Sequence, residues 1–208
     1  MTYNLGLTYM PIEDLSFFIN HSKGRTAYSV LDAVKDNATD RDDSESISND
    51  LGMRFKAFED QLLGSLVFFK SSRTNVAYNN PDYTNGILTP NIPVYFYDGS
   101  EDTQGVELDI NALLTEHLGI SFNTAFTQAR FDEFKNGGGL GVDYDDNYLP
   151  YAPEHTYFVA IDYSRPLFNQ FEVYGHIDYG YNGDYFSNPN NTHRNLSANN
   201  NPKYKSEP

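Results

Sequence analysis

The stretch "GVELDINALLTEHLGISFNTAF", residues 105–126, contains two runs of alternating apolar and polar side chains on either side of a short polar break. In the first run, Leu108 and Ile110 alternate with Glu107 and Asp109. A period of two residues is typical of a β-strand, because successive side chains of a strand point to opposite faces. We therefore predict a β-hairpin with one apolar and one polar face. The apolar face needs either a protein core or lipid as its partner.

The same alternation recurs along most of the chain. The predicted strands cover roughly residues 2–10, 15–24, 47–57, 62–77, 94–113, 118–131, 155–164 and 170–181. The fourth of them is apolar on both sides for several residues, so its period does not assign its faces. No helical pattern of note accompanies the strands. The predicted fold class is all-β, an antiparallel up-and-down meander of about eight long strands.

Short and long connections alternate between the predicted strands. The short breaks are "PIED" (11–14), "FEDQ" (58–61), "LTEH" (114–117) and "RPLFNQ" (165–170). The long polar segments cover roughly residues 24–47, 78–104, 132–153 and 182 onward. Short turns on one side and long loops on the other are typical of outer-membrane barrels. We therefore predict that these strands belong to a transmembrane β-barrel.

Composition limits the possible functions. The chain has 208 residues, of which 39% are hydrophobic, and it contains 17 Tyr and 15 Phe but no Trp or Cys. Its net charge of −15 argues against a nucleic-acid partner, because no basic stripe is present to neutralise phosphates. No apolar run reaches the length of a transmembrane helix, but a spanning β-strand needs only about 9 to 11 residues with one apolar face. A membrane therefore remains a possible partner.

In the barrel interpretation, alternation sorts the side chains into two sets, and aromatic residues mark the strand ends. The lipid-facing candidates are Leu108, Ile110, Ile120, Phe122, Val159, Ile161, Val173 and Ile177. The residues predicted to line the interior are Asp50, Arg54, Lys56, Glu107, Asp109, Ser121 and Asn123. Tyr9, Phe58, Tyr163 and Phe171 lie near short turns, and Tyr78, Phe131, Tyr157 and Tyr179 lie toward long loops. Aromatic rings favour the two interfacial levels of a bilayer.

Four segments resemble successive barrel hairpins of TonB-dependent outer-membrane receptors of the siderophore type. They are "YNLGLTYMPIEDLSFFINHSKG", "SNDLGMRFKAFEDQLLGSLVFFKSSRTNV", "TQGVELDINALLTEHLGISFNTAFTQARF" and "LPYAPEHTYFVAIDYSRP". The resemblance implies a barrel of about 22 strands that encloses an N-terminal plug domain. The plug, the TonB-interacting segment and the final strands have no counterpart in residues 1–208. We therefore expect a fragment from the C-terminal part of such a barrel, which the resemblance implies is an open curved sheet on its own.

The resemblance also implies a function. Such a receptor is not an enzyme: it captures a ferric siderophore outside the cell and passes it across the outer membrane of a Gram-negative bacterium. The expected partners are the siderophore, outer-membrane lipid and lipopolysaccharide, and the TonB complex through a segment outside this chain. No covalently bound cofactor and no resident metal are expected. The ligand-binding candidates, in loops or on the upper interior wall, are Arg73, Tyr78, Tyr83, Tyr95, Tyr97, Tyr144 and Tyr148.

Other interpretations stay open from the sequence. Within the same architecture, the ligand could be cobalamin, haem or a carbohydrate. A different class is a secreted all-β binding module, such as a lectin-like sandwich. "DYDDN" (143–147) resembles a calcium loop in its oxygen-rich composition, but it lacks the later bidentate Glu, and a solvated acidic loop is the favoured interpretation. The five histidines do not have the paired spacing of a zinc site.

Overall fold

The computed structural model describes residues 1–27, 43–79, 95–168, 171–195 and 205–206. Eight long strands form one antiparallel sheet in which each strand pairs with its neighbour in sequence, in the order β1 to β8. Their bounds are β1 Tyr3–Ile12, β2 Leu15–Thr26, β3 Ser44–Ala57, β4 Leu62–Asn79, β5 Tyr95–Thr115, β6 Leu118–Glu133, β7 His155–Leu167 and β8 Phe171–Asn182. The predicted all-β meander is confirmed.

The hairpin that opens the sequence analysis is β5 with β6. Leu108 pairs with Thr124 and Ile110 with Phe122, so the apolar side chains of both strands lie on one face. The connection is shorter than the predicted "LTEH" break, because Thr115 still belongs to β5 and pairs with Leu118. This pairing leaves a tight two-residue turn between the strands.

Two prolines that suggested breaks lie inside strands. Pro11 belongs to β1, where the register shifts between Tyr9 and Ile12, so this residue sits in a bulge that needs no N–H donor from it. Pro166 belongs to β7 and pairs with β8, beyond the point at which β7 stops pairing with β6. The breaks predicted at "PIED" and "RPLFNQ" therefore start too early, because a proline is tolerated at a bulge or where a strand has lost one neighbour.

The register divides the sheet into two faces, here called the apolar face and the polar face. One cross-strand row of the apolar face runs Leu7, Ile19, Leu51, Phe68, Val106, Phe126, His155. A row of the polar face near its centre runs Arg54, Ser65, Asp109, Asn123, Phe158, Gly180. The register also assigns β4, which periodicity had left open, because it places Leu66 and Phe68 on the apolar face.

Aromatic rings cover glycines across the sheet. Phe55 is paired with Gly64, and a Cβ built on that glycine would lie 2.2 Å from the ring. Phe18 stands over Gly52 on the polar face in the same way, and the Arg54 guanidinium carbon lies 4.3 Å from the centre of the Phe18 ring. Each glycine leaves room for a ring that lies flat on the neighbouring strand, an arrangement known to fix strand register.

The long-loop end of the sheet is more ordered than predicted. The segment 132–153 was expected to be a loop, but residues 142–149 fold back along the end of β6. The Phe131 N–H donates to the Asn147 carbonyl at 2.9 Å, and the Leu149 N–H donates to the Ala129 carbonyl at 3.0 Å. The region after β8, also expected to be a loop, contains a three-stranded sheet of β9 (Tyr185–Phe186), β10 (His193–Asn195) and β11 (Lys205–Ser206).

The sheet has no conventional core along most of its length. Many large apolar side chains of the apolar face are exposed, among them Leu7, Ile19, Leu51, Phe126 and Ile177. In the described ranges, no second large sheet packs on either face. No helix of the described residues is long and apolar enough to cross a membrane.

Candidate ligand-binding end of the sheet

An aromatic cluster lies at the long-loop end, formed by Tyr78, Phe131, Phe134 and Tyr144. Tyr78 stacks on Phe134 at 4.1 Å between ring centres and meets the edge of Phe131 at 5.3 Å. Tyr144 meets Phe134 edge-on at 5.8 Å. Phe131 is only 2% exposed, so the cluster is the packed core of this end of the molecule. The prediction that Phe131 belongs to an interfacial belt is therefore wrong.

Tyr78 is held by an acidic partner. Its hydroxyl donates a hydrogen bond of 2.8 Å to the Glu101 carboxylate, which also faces the Arg73 guanidinium at 3.8 Å. Burial, together with this hydrogen bond, raises the pKa of Tyr78 far above its ordinary value. The phenol therefore stays neutral and engaged with Glu101, whereas the Arg73 side chain is half exposed.

The acidic segment after the cluster is used to build the loop. The Asp145 carboxylate accepts the Phe134 N–H at 2.7 Å, and the Asp143 carboxylate accepts the Asn136 N–H at 2.8 Å. The Lys135 ammonium pairs with both carboxylates. The hydrogen bond from Lys135 lowers the pKa of Asp145, and the same bond raises the pKa of Lys135. These carboxylates hold a hairpin together, and in the described part of the chain no acidic or histidine side chains group as a metal site.

A second group surrounds Arg130. Its guanidinium lies over the Tyr148 ring at 4.1 Å, and its Nη2 donates to the Tyr148 hydroxyl at 2.7 Å. Its Nη1 donates to the Asp146 carbonyl at 2.8 Å, but its buried Nε has no partner. Phe186 stacks on Tyr148 with 5.7 Å between the ring centres. Arg130 therefore connects β6 to the returning loop, and Tyr148 of that loop contacts the small sheet.

Asn191 ties the two long connections together. Its Oδ1 accepts the Tyr148 N–H at 2.7 Å, and its Nδ2 donates to the Tyr148 carbonyl at 3.0 Å. The Tyr151 N–H donates to the Phe186 carbonyl at 2.8 Å. The loop after β6 and the segment after β8 thus form one packed platform.

The structure divides the predicted ligand-binding residues into groups. Arg73, Tyr78 and Tyr144 lie in or beside the aromatic cluster, whereas Tyr148 belongs to the separate group around Arg130. Tyr83 lies outside the described residues, as do the side chains of Tyr95 and Tyr97, whose backbone belongs to β5. The predictions missed Glu101, Arg130 and Asn191. Their contacts depend on partners 18 to 43 residues away, which no local pattern indicates.

The polar face below this end carries a chain of hydrogen bonds. The Asp109 carboxylate accepts hydrogen bonds from Ser65 at 3.3 Å and from Asn123. Nearer the short turns, the His176 ring lies between two carboxylates, with Nδ1 2.6 Å from Asp162 and Nε2 3.2 Å from Asp178. A face with hydrogen-bonded charges of this kind is suited to contact with water or with a polar partner.

The apolar face carries aromatic side chains at its upper end. Phe126 stacks on the His155 ring at 4.1 Å, and Tyr157 stacks on Tyr181 at 4.8 Å. Tyr179 lies 6.0 Å from Tyr157. Amphipathic rings at one level of an apolar surface are typical of the boundary between a bilayer and water.

Comparisons with known proteins agree with this geometry. Residues 1–205 match the family described as "TonB dependent receptor-like, beta-barrel". BauA, the ferric preacinetobactin receptor of Acinetobacter baumannii, is similar over 94% of this chain and 27% of its own, with a TM-score of 0.74 and 16% identity. The siderophore receptor PiuA of the same organism is similar over 94% and 28%, with a TM-score of 0.69 and 17% identity.

A third similar structure is FyuA, the ferric yersiniabactin uptake receptor of Yersinia pestis. It is similar over 93% of this chain and 27% of its own, with a TM-score of 0.68 and 14% identity. No curated protein matches the chain in a sequence search. The chain thus spans little more than a quarter of the solved receptors BauA, PiuA and FyuA.

Proposed function

This chain belongs to the family of TonB-dependent receptor-like β-barrels, and from that premise we propose that it is part of the wall of a receptor that imports a ferric siderophore. Barrels of this family lie in the outer membrane of Gram-negative bacteria and act as transport receptors rather than enzymes. BauA, PiuA and FyuA, each a siderophore or ferric-siderophore receptor, support this choice of ligand. The ferric siderophore is cargo, not a resident cofactor.

The observation that carries the proposal is the difference between the two ends of the sheet. One end has only short connections of two to four residues, whereas the other carries a packed platform with aromatic rings and a half-exposed guanidinium. A flat, rigid chelate is well suited to aromatic faces, and an Arg binds carboxylate or catecholate oxygens through charge-assisted hydrogen bonds. The platform is therefore the surface on which we place ligand capture.

Within the platform, Arg73, Tyr144 and Tyr148 are the proposed contacts. Tyr78 supports them, because its hydroxyl is engaged by Glu101 and its ring is packed in the aromatic cluster. Tyr83, Tyr95 and Tyr97 are also proposed as ligand contacts, on the basis of the sequence alone.

The barrel orientation follows from the two faces. The apolar face contacts lipid through Leu108, Ile110, Ile120, Phe122, Val159, Ile161, Val173 and Ile177, and the polar face lines the interior. Lipopolysaccharide surrounds the long-loop end, and the TonB complex acts through a segment outside this chain. The alternation of exposed apolar and hydrogen-bonded polar side chains supports this arrangement.

The test is uptake of iron-55 chelates by cells that express the full-length receptor and lack other siderophore receptors. We expect uptake of a ferric siderophore only when TonB is present. Arg73→Ala should raise the half-saturating concentration about tenfold, as expected for loss of one charge-assisted contact.

The matched control is Lys56→Ala on the polar face near the short turns, which should leave the half-saturating concentration unchanged. If the cells instead take up cobalamin, haem or a carbohydrate in a TonB-dependent manner and no ferric chelate, the family stands and the siderophore assignment is wrong.

A further inference from the structure

Arg73 and Glu101 form a long ion pair at the long-loop end of the polar face. The two residues are direct partners across β4 and β5, and the Cβ atoms of such partners lie about 4.5 to 5.5 Å apart. Two long side chains at that separation can bring their charges into close contact. The shortest nitrogen–oxygen distance is nevertheless 3.8 Å, between Arg73 Nη1 and Glu101 Oε2. The pair is therefore looser than its position on the strands requires.

The ion pair of Arg25 and Asp43 provides a comparison at the same end of the sheet. The cross-strand partner of Arg25 is Glu45, so Asp43 is not directly opposite to it. Arg25 Nε nevertheless lies 2.6 Å from the Asp43 carboxylate, although its side chain is 46% exposed and that of Arg73 is 50% exposed. Similar exposure with a longer distance indicates that something holds Glu101 away from Arg73.

Tyr78 supplies that restraint. Its hydroxyl donates a hydrogen bond of 2.8 Å to Glu101 Oε1, the oxygen that does not face Arg73. The Tyr78 ring stacks on Phe134 with 4.1 Å between the ring centres, and an added Cβ at Gly99 would overlap the ring. Packing on both sides keeps the phenol in place. A Glu101 carboxylate that moved toward Arg73 would therefore lose its hydrogen bond to Tyr78.

The pair is isolated from other charges on the polar face. In the part of the chain that the structure describes, the Arg73 guanidinium has no hydrogen bond and no ion pair other than the one with Glu101. Two cross-strand rows surround the pair, and their other members are all uncharged. These members are Gly24, Ser46 and Phe131 in the row of the pair, and Asn4, Ser22, Ser48, Ser71, Thr103 and Ala129 in the row below it.

From this geometry we propose that Tyr78 and Glu101 are positioning residues, in which Tyr78 holds Glu101 back from Arg73 and so keeps the guanidinium open to an anionic group of the ligand. Without the restraint, Glu101 closes on Arg73 and occupies the donors that the ligand needs. With it, the ligand displaces only a loose contact, so the charge-assisted hydrogen bonds of Arg73 contribute to affinity.

The inference rests on the proposed function in placing ligand oxygens at Arg73, and it narrows the class of ligand. An open guanidinium favours a ferric chelate with net negative charge, such as a tris-catecholate. A neutral chelate, such as a ferric tris-hydroxamate, gains much less from it, because hydrogen bonds to a charged acceptor are the stronger ones.

The first test needs no ligand: it is the rate at which phenylglyoxal modifies Arg73 in the full-length receptor in detergent, followed by peptide mass spectrometry. Tyr78→Phe removes the hydroxyl and keeps the ring that packs in the aromatic cluster. We expect this variant to react about threefold more slowly at Arg73, the scale of one surface ion pair, because Glu101 then closes on the guanidinium. Arg25 is the reference in the same digest, and its rate should stay unchanged.

The double variant Tyr78→Phe/Glu101→Gln separates positioning from a general disturbance of the cluster. Its neutral amide does not attract the guanidinium, so the reactivity of Arg73 should return to that of the unaltered receptor. A merely structural effect of the lost hydroxyl would persist in the double variant. The proposal is overturned if Tyr78→Phe leaves the rate at Arg73 unchanged, or if the double variant reacts as slowly as Tyr78→Phe.

The second test is uptake of iron-55 as a ferric tris-catecholate and as a ferric tris-hydroxamate. Tyr78→Phe should raise the half-saturating concentration of the tris-catecholate about threefold, and the double variant should restore it. Preferential uptake of the neutral tris-hydroxamate would overturn the assignment of an anionic ligand. If no ferric chelate is taken up but Arg73 shows the expected reactivities, the proposed function is wrong and the positioning of Glu101 by Tyr78 stands.

Discussion

At the scale of single residues, Leu140 is the least expected side chain of the platform. It occupies the tip of the hairpin after the aromatic cluster with φ 52°, followed by Gly141 with φ 85°, and the flanking residues Gly139 and Val142 form a bridge. Two successive positive φ values are typical of the tight turn that favours Asn-Gly. Leu140 is 83% exposed, so burial of its side chain contributes little against the unfavourable conformation.

We predict that Leu140→Asn stabilises this hairpin by about 1 kcal/mol, because Asn tolerates the left-handed region better than Leu. Hydrogen exchange of residues 136–145 in the full-length receptor should become slower. Leu140→Val should have the opposite effect, since a β-branched side chain is less tolerated there. Equal exchange in both variants would contradict the turn assignment.

Asp145 gives the same hairpin a pH dependence. Its pKa is lowered, first by the hydrogen bond from Lys135 and then by the Phe134 N–H, so its stabilising effect is present above the ordinary Asp pKa of about 4. The effect is lost as pH falls through the lower folded-state value. The pKa of Lys135 is raised, so its contribution is lost only as alkaline pH rises through that value.

We therefore predict that exchange of the Phe134 amide, corrected for the intrinsic effect of pH, accelerates a few-fold between pH 7 and pH 3, the scale of one surface ion pair. Asp145→Asn keeps an acceptor for this amide but cannot titrate, so its corrected exchange should not vary over that range. A residual pH effect in Asp145→Asn would mean that another group is responsible.

At the scale of strands, periodicity predicted most of the architecture, and its failures have physical causes. The strand positions and the two faces follow from alternation, as at Leu108 and Asp109. The faces of β4 could not be predicted, because Leu62 to Phe69 is largely apolar on both sides and only pairing to β5 assigns them. The return of residues 142–149 along β6 was missed because its polar composition is that of a loop.

The strand β8 offers a matched pair for testing the lipid face. Ile177 on the apolar face and Tyr174 on the polar face are 72% and 68% exposed in the isolated sheet. We predict that Ile177→Arg destabilises the full-length receptor by about 2 to 4 kcal/mol if the position is near the bilayer midplane, whereas Tyr174→Arg costs much less.

Unfolding by denaturant in lipid vesicles measures both free energies. Leu108→Arg on β5 should behave as Ile177→Arg does. Equal losses on the two faces would contradict the assignment of the apolar face to lipid.

The glycines of the apolar face test how rings fix the register. Gly64→Val should cost about 1 to 3 kcal/mol, because its Cβ must displace the Phe55 ring. Gly175→Val is the control on the same face, since no atom lies within 4 Å of a Cβ at that position. Similar free energies of unfolding for the two variants would show that the Phe55 ring moves away at little cost.

At the scale of the whole molecule, β1 and β8 are the two open edges of the sheet. Among the residues that the structure describes, neither edge strand has a neighbour on its outer side, and in hydrocarbon each unpaired backbone N–H or C=O group costs several kcal/mol. Between the edges, all eight strands are joined by continuous antiparallel pairing. The eight strands stabilise one another within the sheet, but the two edge strands need further strands to pair with in a membrane.

We predict that residues 1–208 alone do not insert into lipid vesicles, whereas the full-length receptor does. Protease protection after refolding into vesicles distinguishes the two. A protected fragment of strand-spanning size from the isolated chain would indicate that the eight strands close on themselves.

The pairing also explains which parts of the ligand-binding end could be predicted. Arg73 and Tyr78 could be selected, because they lie at the long-loop end of a predicted strand and are residue types suited to binding a ferric chelate. The platform around them could not be predicted. Its hydrogen bonds join residues that are distant in sequence, since Asn191 and Tyr148 are 43 residues apart and Arg130 and Tyr148 are 18 residues apart. Such contacts depend on how two separate connections meet above the sheet.

The two-residue alternation of the strands has a consequence for how such a protein can change over time. Inserting one residue in β5 ahead of Leu108 would move Leu108 to the polar face and Asp109 to the apolar face. Every later side chain of that strand would likewise move to the opposite face. An insertion in a connection at the long-loop end leaves every strand residue on its own face of the sheet. Length variation among relatives should therefore concentrate in those connections, where new ligand specificities can arise without disturbing the wall.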